Sequence, residues 1–149
     1  MRTGILVAAA LFAAFGSDRG VYAQAPQCSK GEFEGVVDEA AGALRALNQK
    51  NTPTFQGKLR QLRDKRGWSN DQFMTEAAPF VRDDTIAGFD QKSEDFLSRI
   101  TSGGQSGASE AAPDCILLVE LRATMKQLVA TQQAKWSYMF AKIDKELGK

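Results

Sequence analysis

Residues 115–147 read CILLVELRATMKQLVATQQAKWSYMFAKIDKEL, a stretch that contains neither glycine nor proline. At about 1.5 Å per residue, a helix of this length approaches 50 Å. Its apolar residues return every three or four positions, as on one face of an α-helix: Leu118, Leu121, Met125, Leu128, Trp136, Met139, Ile143 and Leu147. No other stretch alternates like a β-strand. The sequence therefore predicts an all-α, disulfide-linked helical bundle of four to five helices with a long C-terminal helix.

Two helical segments are predicted in the first half of the chain. Residues 29–50 begin with Ser29 and Glu32, the pattern of a capping box, and carry apolar residues three or four positions apart. Because Pro53 lacks a backbone N–H, we expect this helix to stop before it and a second helix to begin with Pro53 in its first turn. Gly67 then ends the second helix.

Two further segments precede the last helix. The capping-box pair Ser69 and Gln72 predicts a short helix that Pro79 interrupts. Asp83 or Asp84 suits the N-terminus of a longer helix, since a carboxylate there accepts the free backbone N–H groups of the first turn.

The segment between this longer helix and the last one is rich in glycine and serine. Residues 101–112 read TSGGQSGASEAA, the only low-complexity stretch of the chain. Glycine and serine are poor helix formers and offer little side chain to bury. We therefore expect residues 101–112 to form a flexible surface loop.

The N-terminus has the pattern of a secretory signal peptide. An apolar run over residues 4–15 is too short to cross a membrane, and small residues that suit a signal peptidase follow it. We expect cleavage after Ala23, because cleavage after Ala25 would place Pro26 directly behind the cut. An uncut membrane anchor is the alternative.

Cleavage after residues 1–23 leaves residues 24–149, which we expect to form a single helical domain. This part has equal numbers of basic and acidic residues and no transmembrane segment. We expect it to lie in the periplasm or outside the cell. The balanced charge also argues against a nucleic-acid partner, since such proteins carry a basic excess.

Export to an oxidising compartment favours a bond between the two cysteines, Cys28 and Cys115. Their Cα atoms must then lie within about 7 Å. Because each cysteine stands at the start of a predicted helix, the first and last helices must begin at the same end of the bundle. Five segments satisfy this requirement if each one crosses the bundle, whereas four do not.

The composition excludes several kinds of chemistry. The chain has no histidine, which removes Ser-His-Asp and Cys-His catalysis and the commonest metal ligand. Two cysteines are too few for a Cys-only zinc site or an iron–sulfur cluster. We expect no metal, no cofactor and no catalytic residue.

A basic cluster is the first candidate site. Lysine and arginine occur five times in nine residues, opposed by Asp64 alone. Lys58, Arg60, Arg63 and Arg66 could bind an anion, or the helix could be solvated and face the acidic residues 83–95. The same chemistry allows a small helical enzyme or ligand-binding protein with a cleft lined by these residues: Arg45, Arg60, Arg63 and Lys126, with Glu39 or Glu120.

The second candidate lies near the end of the last helix. Five large apolar residues occur within eight positions there and occupy more than one side of the helix: Trp136, Tyr138, Met139, Phe140 and Ile143. If the shorter helices leave this length uncovered, these side chains form a partner-binding surface; otherwise they are core. The leading hypothesis is an exported, non-enzymatic binding protein of the cell envelope whose partner is an envelope protein or a second copy.

Overall fold

The computed structural model describes residues 28–149, which form four helices and no strand. The predicted signal peptide and its cleavage sites lie outside the described residues. The all-α fold, the disulfide and the long C-terminal helix are confirmed. The helices are α1 (Lys30–Arg66), α2 (Asn70–Val81), α3 (Asp84–Ser109) and α4 (Cys115–Leu147).

Helices α1 and α4 lie side by side and run in the same direction. The disulfide Cys28–Cys115 joins their starts, with the two Cα atoms 5.4 Å apart. At their far ends, the ammonium group of Lys58 contacts the carboxylate of Asp144. The predicted common starting end is therefore correct.

Helix α3 runs antiparallel to both of these helices. The side-chain amide of Gln132 on α4 donates to the hydroxyl of Ser93, while Gly104 near the end of α3 packs on Val37 near the start of α1. Helix α2 has 12 residues and joins α1 to α3 at the far end. The chain thus crosses the bundle three times, through the long helices α1, α3 and α4. This odd number of crossings, rather than the predicted five, places the start of α4 beside the start of α1.

The predicted break at Pro53 is wrong, because α1 continues through it as a single helix of 37 residues. Pro53 is exposed, so the carbonyl group that loses its N–H partner there can bind water instead. Val36 before the proline and Phe55 after it are both buried, and this burial holds the two halves in one helix. Pro79 is likewise inside α2.

The predicted loop over residues 101–112 is also wrong for most of its length, since α3 extends to Ser109. The glycines of this stretch are contact points between helices. A Cβ atom on Gly107 would lie 2.1 Å from ring carbons of Phe33, and one on Gly104 would lie 2.6 Å from a methyl carbon of Val37. Close packing against α1 thus stabilises this part of α3, although its glycine and serine residues have a low helix propensity.

The buried apolar side chains form two clusters along the bundle. The first lies towards the disulfide and consists of Phe33, Val36, Ala40, Ile100, Leu118, Leu121 and Leu128. The second lies towards α2 and consists of Phe55, Leu59, Leu62, Ala77, Ile86, Met139 and Ile143. Helices α1, α3 and α4 each contribute residues to both clusters, so these three helices share a core along the length of the bundle.

We predict that Gly107→Ala destabilises the protein by about 1–3 kcal/mol, because the added methyl group overlaps the ring of Phe33. Gly88→Ala in the same helix is the matched control. Nothing lies within 4 Å of a Cβ atom at Gly88, so alanine there should stabilise by about 0.5–1 kcal/mol. Urea unfolding of both variants measures the difference, and equal effects would contradict the role assigned to Gly107.

We predict that replacing both cysteines by serine lowers the free energy of unfolding by about 2–5 kcal/mol. The bond closes a separation of 87 residues, so its loss frees much of the unfolded chain. Urea unfolding with and without reductant measures this. The wild-type protein should lose stability on reduction, whereas the double variant should not respond to reductant.

Candidate functional site

The most exposed large apolar side chains of α4 lie beside the disulfide. Ile116 is 71% exposed and Val119 is 65% exposed. They border a groove of about 300 Å³ whose lining includes Cys28, Leu118 and Arg122. An exposed valine or isoleucine is common, but two of them on one groove make a candidate contact surface.

This surface continues along the side of α4 that faces away from the core. The core side of the helix carries Leu118, Leu121 and Leu128, which are buried. Four alanines with exposed side chains follow Ile116 and Val119 at steps that keep them on the outer side. We call this set of six residues the outer face of α4: Ile116, Val119, Ala123, Ala130, Ala134 and Ala141.

The five residues predicted to bind a partner pack mainly inside the bundle. Met139 is 5% exposed and Ile143 is fully buried, both in the second cluster. Trp136, Tyr138 and Phe140 are half-buried against the same cluster. Of the two alternatives for this end of α4, the core arrangement holds for Met139 and Ile143, and partner binding through the five residues stays a prediction.

Phe55 of α1 explains why the aromatic residues turn inward. Its ring meets the ring of Trp136 edge-on with centroids 5.9 Å apart, and the ring of Phe140 at 5.5 Å. Such edge-to-face pairs stabilise beyond the area that they bury. The indole Nε1 of Trp136 also donates to the side-chain oxygen of Asn48 at 3.3 Å.

The basic cluster ties the end of α1 to the end of α4. Lys58 pairs with Asp144, and Arg66 pairs with Glu146. Lys65 donates to the carbonyl groups of Glu146 and Leu147, where the negative end of the helix dipole favours a cation. Two of the four predicted anion-binding residues, Lys58 and Arg66, therefore already hold carboxylates of α4.

Two members of the cluster do not contact α4 in this way. Arg63 pairs with the neighbouring Asp64, while Arg60 is exposed and enters no ion pair among the described residues. The acidic stretch over residues 83–95 was the expected alternative neighbour of the basic cluster. It instead forms ion pairs with lysines of α4.

The structure does not gather the predicted cleft. The groove beside the disulfide and two further grooves along α3 are lined by none of its six residues. Arg63 is half-buried, and the other five have exposed side chains: Glu39, Arg45, Arg60, Glu120 and Lys126.

Asp83 interacts with three groups from two parts of the fold. It caps α3 by accepting from the backbone N–H of Ile86 at 2.7 Å, and it also accepts from the Tyr138 hydroxyl at 2.9 Å. The ammonium group of Lys142 contacts the same carboxylate. Lys142, followed by the N–H of Ile86, lowers the pKa of Asp83 from 3.8 to about 2. This cluster joins the α2–α3 turn to α4 and is structural.

Residues 28–149 show no sign of a metal or buried polar site. No three acidic or cysteine side chains within this range could hold a metal ion together. Every buried side-chain nitrogen or oxygen in the same range has a hydrogen-bond partner. The described helices also include none with the length and apolarity needed to cross a bilayer.

Known proteins offer no guide to the function: no family model, curated protein or solved structure matches this chain. Reasoning from the sequence missed the outer face of α4. The available signal was the run ILLV at residues 116–119, which puts apolar side chains on every side of the helix.

We predict that the stabilising effect of Asp83 disappears in acid. Its pKa is lower in the folded protein than in the unfolded chain, so the unfolded chain binds more protons between about pH 4 and pH 2. Stability is therefore present above this window and is lost as the pH falls through it. Asp83→Asn should lower the melting temperature at pH 6, with the difference shrinking towards pH 2.

Glu76→Gln is the control for this measurement. Glu76 lies inside α2, is exposed and enters no ion pair among the described residues. Thermal unfolding from pH 6 to pH 2 should give nearly parallel curves for Glu76→Gln and wild type. A constant difference between Asp83→Asn and wild type across this range would contradict the role of the Asp83 carboxylate.

Proposed function

We propose that this protein is an exported, non-enzymatic binding protein of the cell envelope that contacts a partner through the outer face of α4. The observation that carries the proposal is the exposure of Ile116 and Val119 opposite the buried side of the same helix. A helix that is apolar on opposite sides is typical of one that is covered on both. Within residues 28–149, α1 and α3 pack on one side of α4 alone.

The small residues of the outer face favour a helical partner. Ala123, Ala130 and Ala134 present only methyl groups, so the backbone of a second helix could approach closely. The face extends about 38 Å from Ile116 to Ala141, the length of a helix of about 25 residues. The partner is therefore a helix of another envelope protein or of a second copy of this chain.

Export is supported by two separate features. The N-terminal sequence has the pattern of a signal peptide, and the described chain contains a disulfide, which oxidising compartments maintain. The proposed location is the periplasm or the exterior of the cell.

The alternative function, binding of a small anion, has less support. Lys58, Lys65 and Arg66 hold groups of α4, and an incoming anion would have to compete with them. An enzyme with an arginine-lined cleft also has less support, because the residues predicted to line that cleft border neither the groove beside the disulfide nor the grooves along α3.

Photo-cross-linking tests the proposal. A photoreactive amino acid at position 119 should cross-link a defined protein in the cell envelope, or a second copy of this chain. The same amino acid at Met74 is the control, because Met74 is 75% exposed but lies on α2. We expect the two apolar side chains to drive the contact, so Ile116→Ser together with Val119→Ser should reduce association about tenfold or more.

Two further measurements check the fold of the double serine variant and the location of the protein. Circular dichroism should show that the double serine variant stays helical, since both side chains are mostly exposed. Mature protein recovered from the envelope should begin at Gln24. Equal cross-linking from positions 119 and 74, or recovery of the protein from the cytoplasm with two free thiols, would overturn the proposal.

A further inference from the structure

The alanines of the outer face of α4 are arranged symmetrically along the helix. Ala123 and Ala141 each stand nine positions from residue 132, and Ala130 and Ala134 each stand two positions from it. All four side chains are exposed. If two copies of α4 lie antiparallel with residue 132 at their centre, Ala123 of each copy meets Ala141 of the other, and Ala130 meets Ala134. The face is therefore complementary to itself, as the interface of a twofold-symmetric dimer must be.

The same arrangement brings together small side chains along the whole helix. Residues seven positions apart lie on the same side of an α-helix, and this side of α4 carries two such rows. The antiparallel arrangement lays each row of one copy on the other row of the second copy. The first row is Ile116, Ala123, Ala130 and Ser137, and the second is Gln127, Ala134, Ala141 and the C-cap Gly148. Small residues in both rows let the two helix axes approach to about 8 Å.

Two charges at the ends of the face fit this arrangement. Glu120 stands 12 positions before residue 132, and Lys145 stands 13 positions after it. Both are exposed, and neither enters any of the ion pairs among residues 28–149. In the antiparallel arrangement, Glu120 of each copy lies beside Lys145 of the other, which gives two ion pairs. Lys126, at the opposite edge of the face, can keep its ammonium group in water.

Other arrangements of two copies lose these matches. A shift by seven residues in one direction places Ala130 opposite Gln127, and a shift in the other direction places Ala134 opposite Ser137. Either shift also moves Glu120 about 10 Å away from Lys145. A parallel pair of helices separates these two charges by about 38 Å. The alanines and the charges therefore favour the same register.

We infer that the protein forms a symmetric antiparallel dimer through the outer face of α4, centred near residue 132. The inference rests on the proposed function, because it uses the same surface, and it identifies the partner as a second copy of this chain. Ile116 and Val119 then pack on the last turns of the other α4, over Ala141 and the aliphatic stem of Lys145. Residues 24–149 have no net charge, so no overall repulsion opposes the association of two copies.

Disulfide cross-linking tests the register. Ala123→Cys and Ala141→Cys are introduced separately into the mature protein, which keeps its native disulfide. A mixture of the two variants should form a covalent dimer on mild oxidation, because the two positions are opposite each other in the dimer. Neither variant should cross-link efficiently alone, since each new cysteine lies about 27 Å along the helix from its copy. Non-reducing electrophoresis measures the covalent dimer.

Sedimentation equilibrium measures the association of the unmodified protein. Ala130→Arg with Ala134→Arg brings four like charges to the centre of the interface and should weaken association tenfold or more. Ala41→Arg with Ala46→Arg is the matched control, because both alanines are exposed on α1, and it should change the affinity less than twofold. Circular dichroism should show that both variants stay helical, since all four positions are exposed.

A charge exchange tests the contact between Glu120 and Lys145. Glu120→Lys alone places like charges together at both ends of the interface and should weaken association about fivefold. Adding Lys145→Glu restores opposite charges and should return the affinity to within about twofold of wild type. A double variant that associates as weakly as Glu120→Lys would contradict this register.

Two further results would overturn the dimer. One is a protein that stays monomeric at about 1 mM. The other is cross-linking of Ala123→Cys alone as efficiently as of the mixture, because that result indicates a parallel or non-specific contact. A cross-link from position 119 to a different envelope protein, with this chain monomeric, overturns the dimer but supports the proposed function. The absence of any cross-link from position 119 overturns both.

Discussion

The covalent bond between Cys28 and Cys115 is the constraint on which the rest of the architecture depends. It places the first turns of α1 and α4 side by side, so these two helices must be parallel. Parallel neighbours cannot be joined by a short turn, and the chain needs a return pass between them. Helix α3 is that return pass, and the short α2 turns the chain at the far end.

The return pass in turn depends on how closely α3 can approach the other two helices. Gly104 and Gly107 meet α1, while a Cβ atom on Gly103 would lie 2.7 Å from a methyl carbon of Leu121 on α4. Larger residues would push α3 outward and open the first cluster. In the sequence, these glycines suggest a loop, because their role in packing becomes clear only when the positions of the neighbouring helices are known. Tertiary contact overrides local propensity here.

Local features could be predicted from the sequence because their partners lie within one turn. The Ser29 hydroxyl accepts from the N–H of Glu32, and Ser69 and Gln72 form the same pair at the start of α2. The disulfide could be predicted because the chain has one possible pair. The continuation of α1 through Pro53 could not be predicted, because it depends on the burial of Phe55 against α4. The same limit applies to the candidate site: the sequence shows that residues 116–119 put apolar side chains on every side of α4, but only the positions of α1 and α3 decide which side is left open.

The two ends of the bundle are stabilised by different means, and this difference bears on function. The far end is joined by polar contacts such as Asp83 with Lys142 and Lys58 with Asp144, which occupy the side chains around the end of α4. The near end is joined by the disulfide and by the ion pair of Arg122 with Glu32. A covalent bond needs little polar surface around it, so the start of α4 can carry Ile116 and Val119 towards solvent without weakening the fold. Because the bond that holds this end also borders the groove beside those residues, the proposed binding surface and the proposed oxidising location are linked.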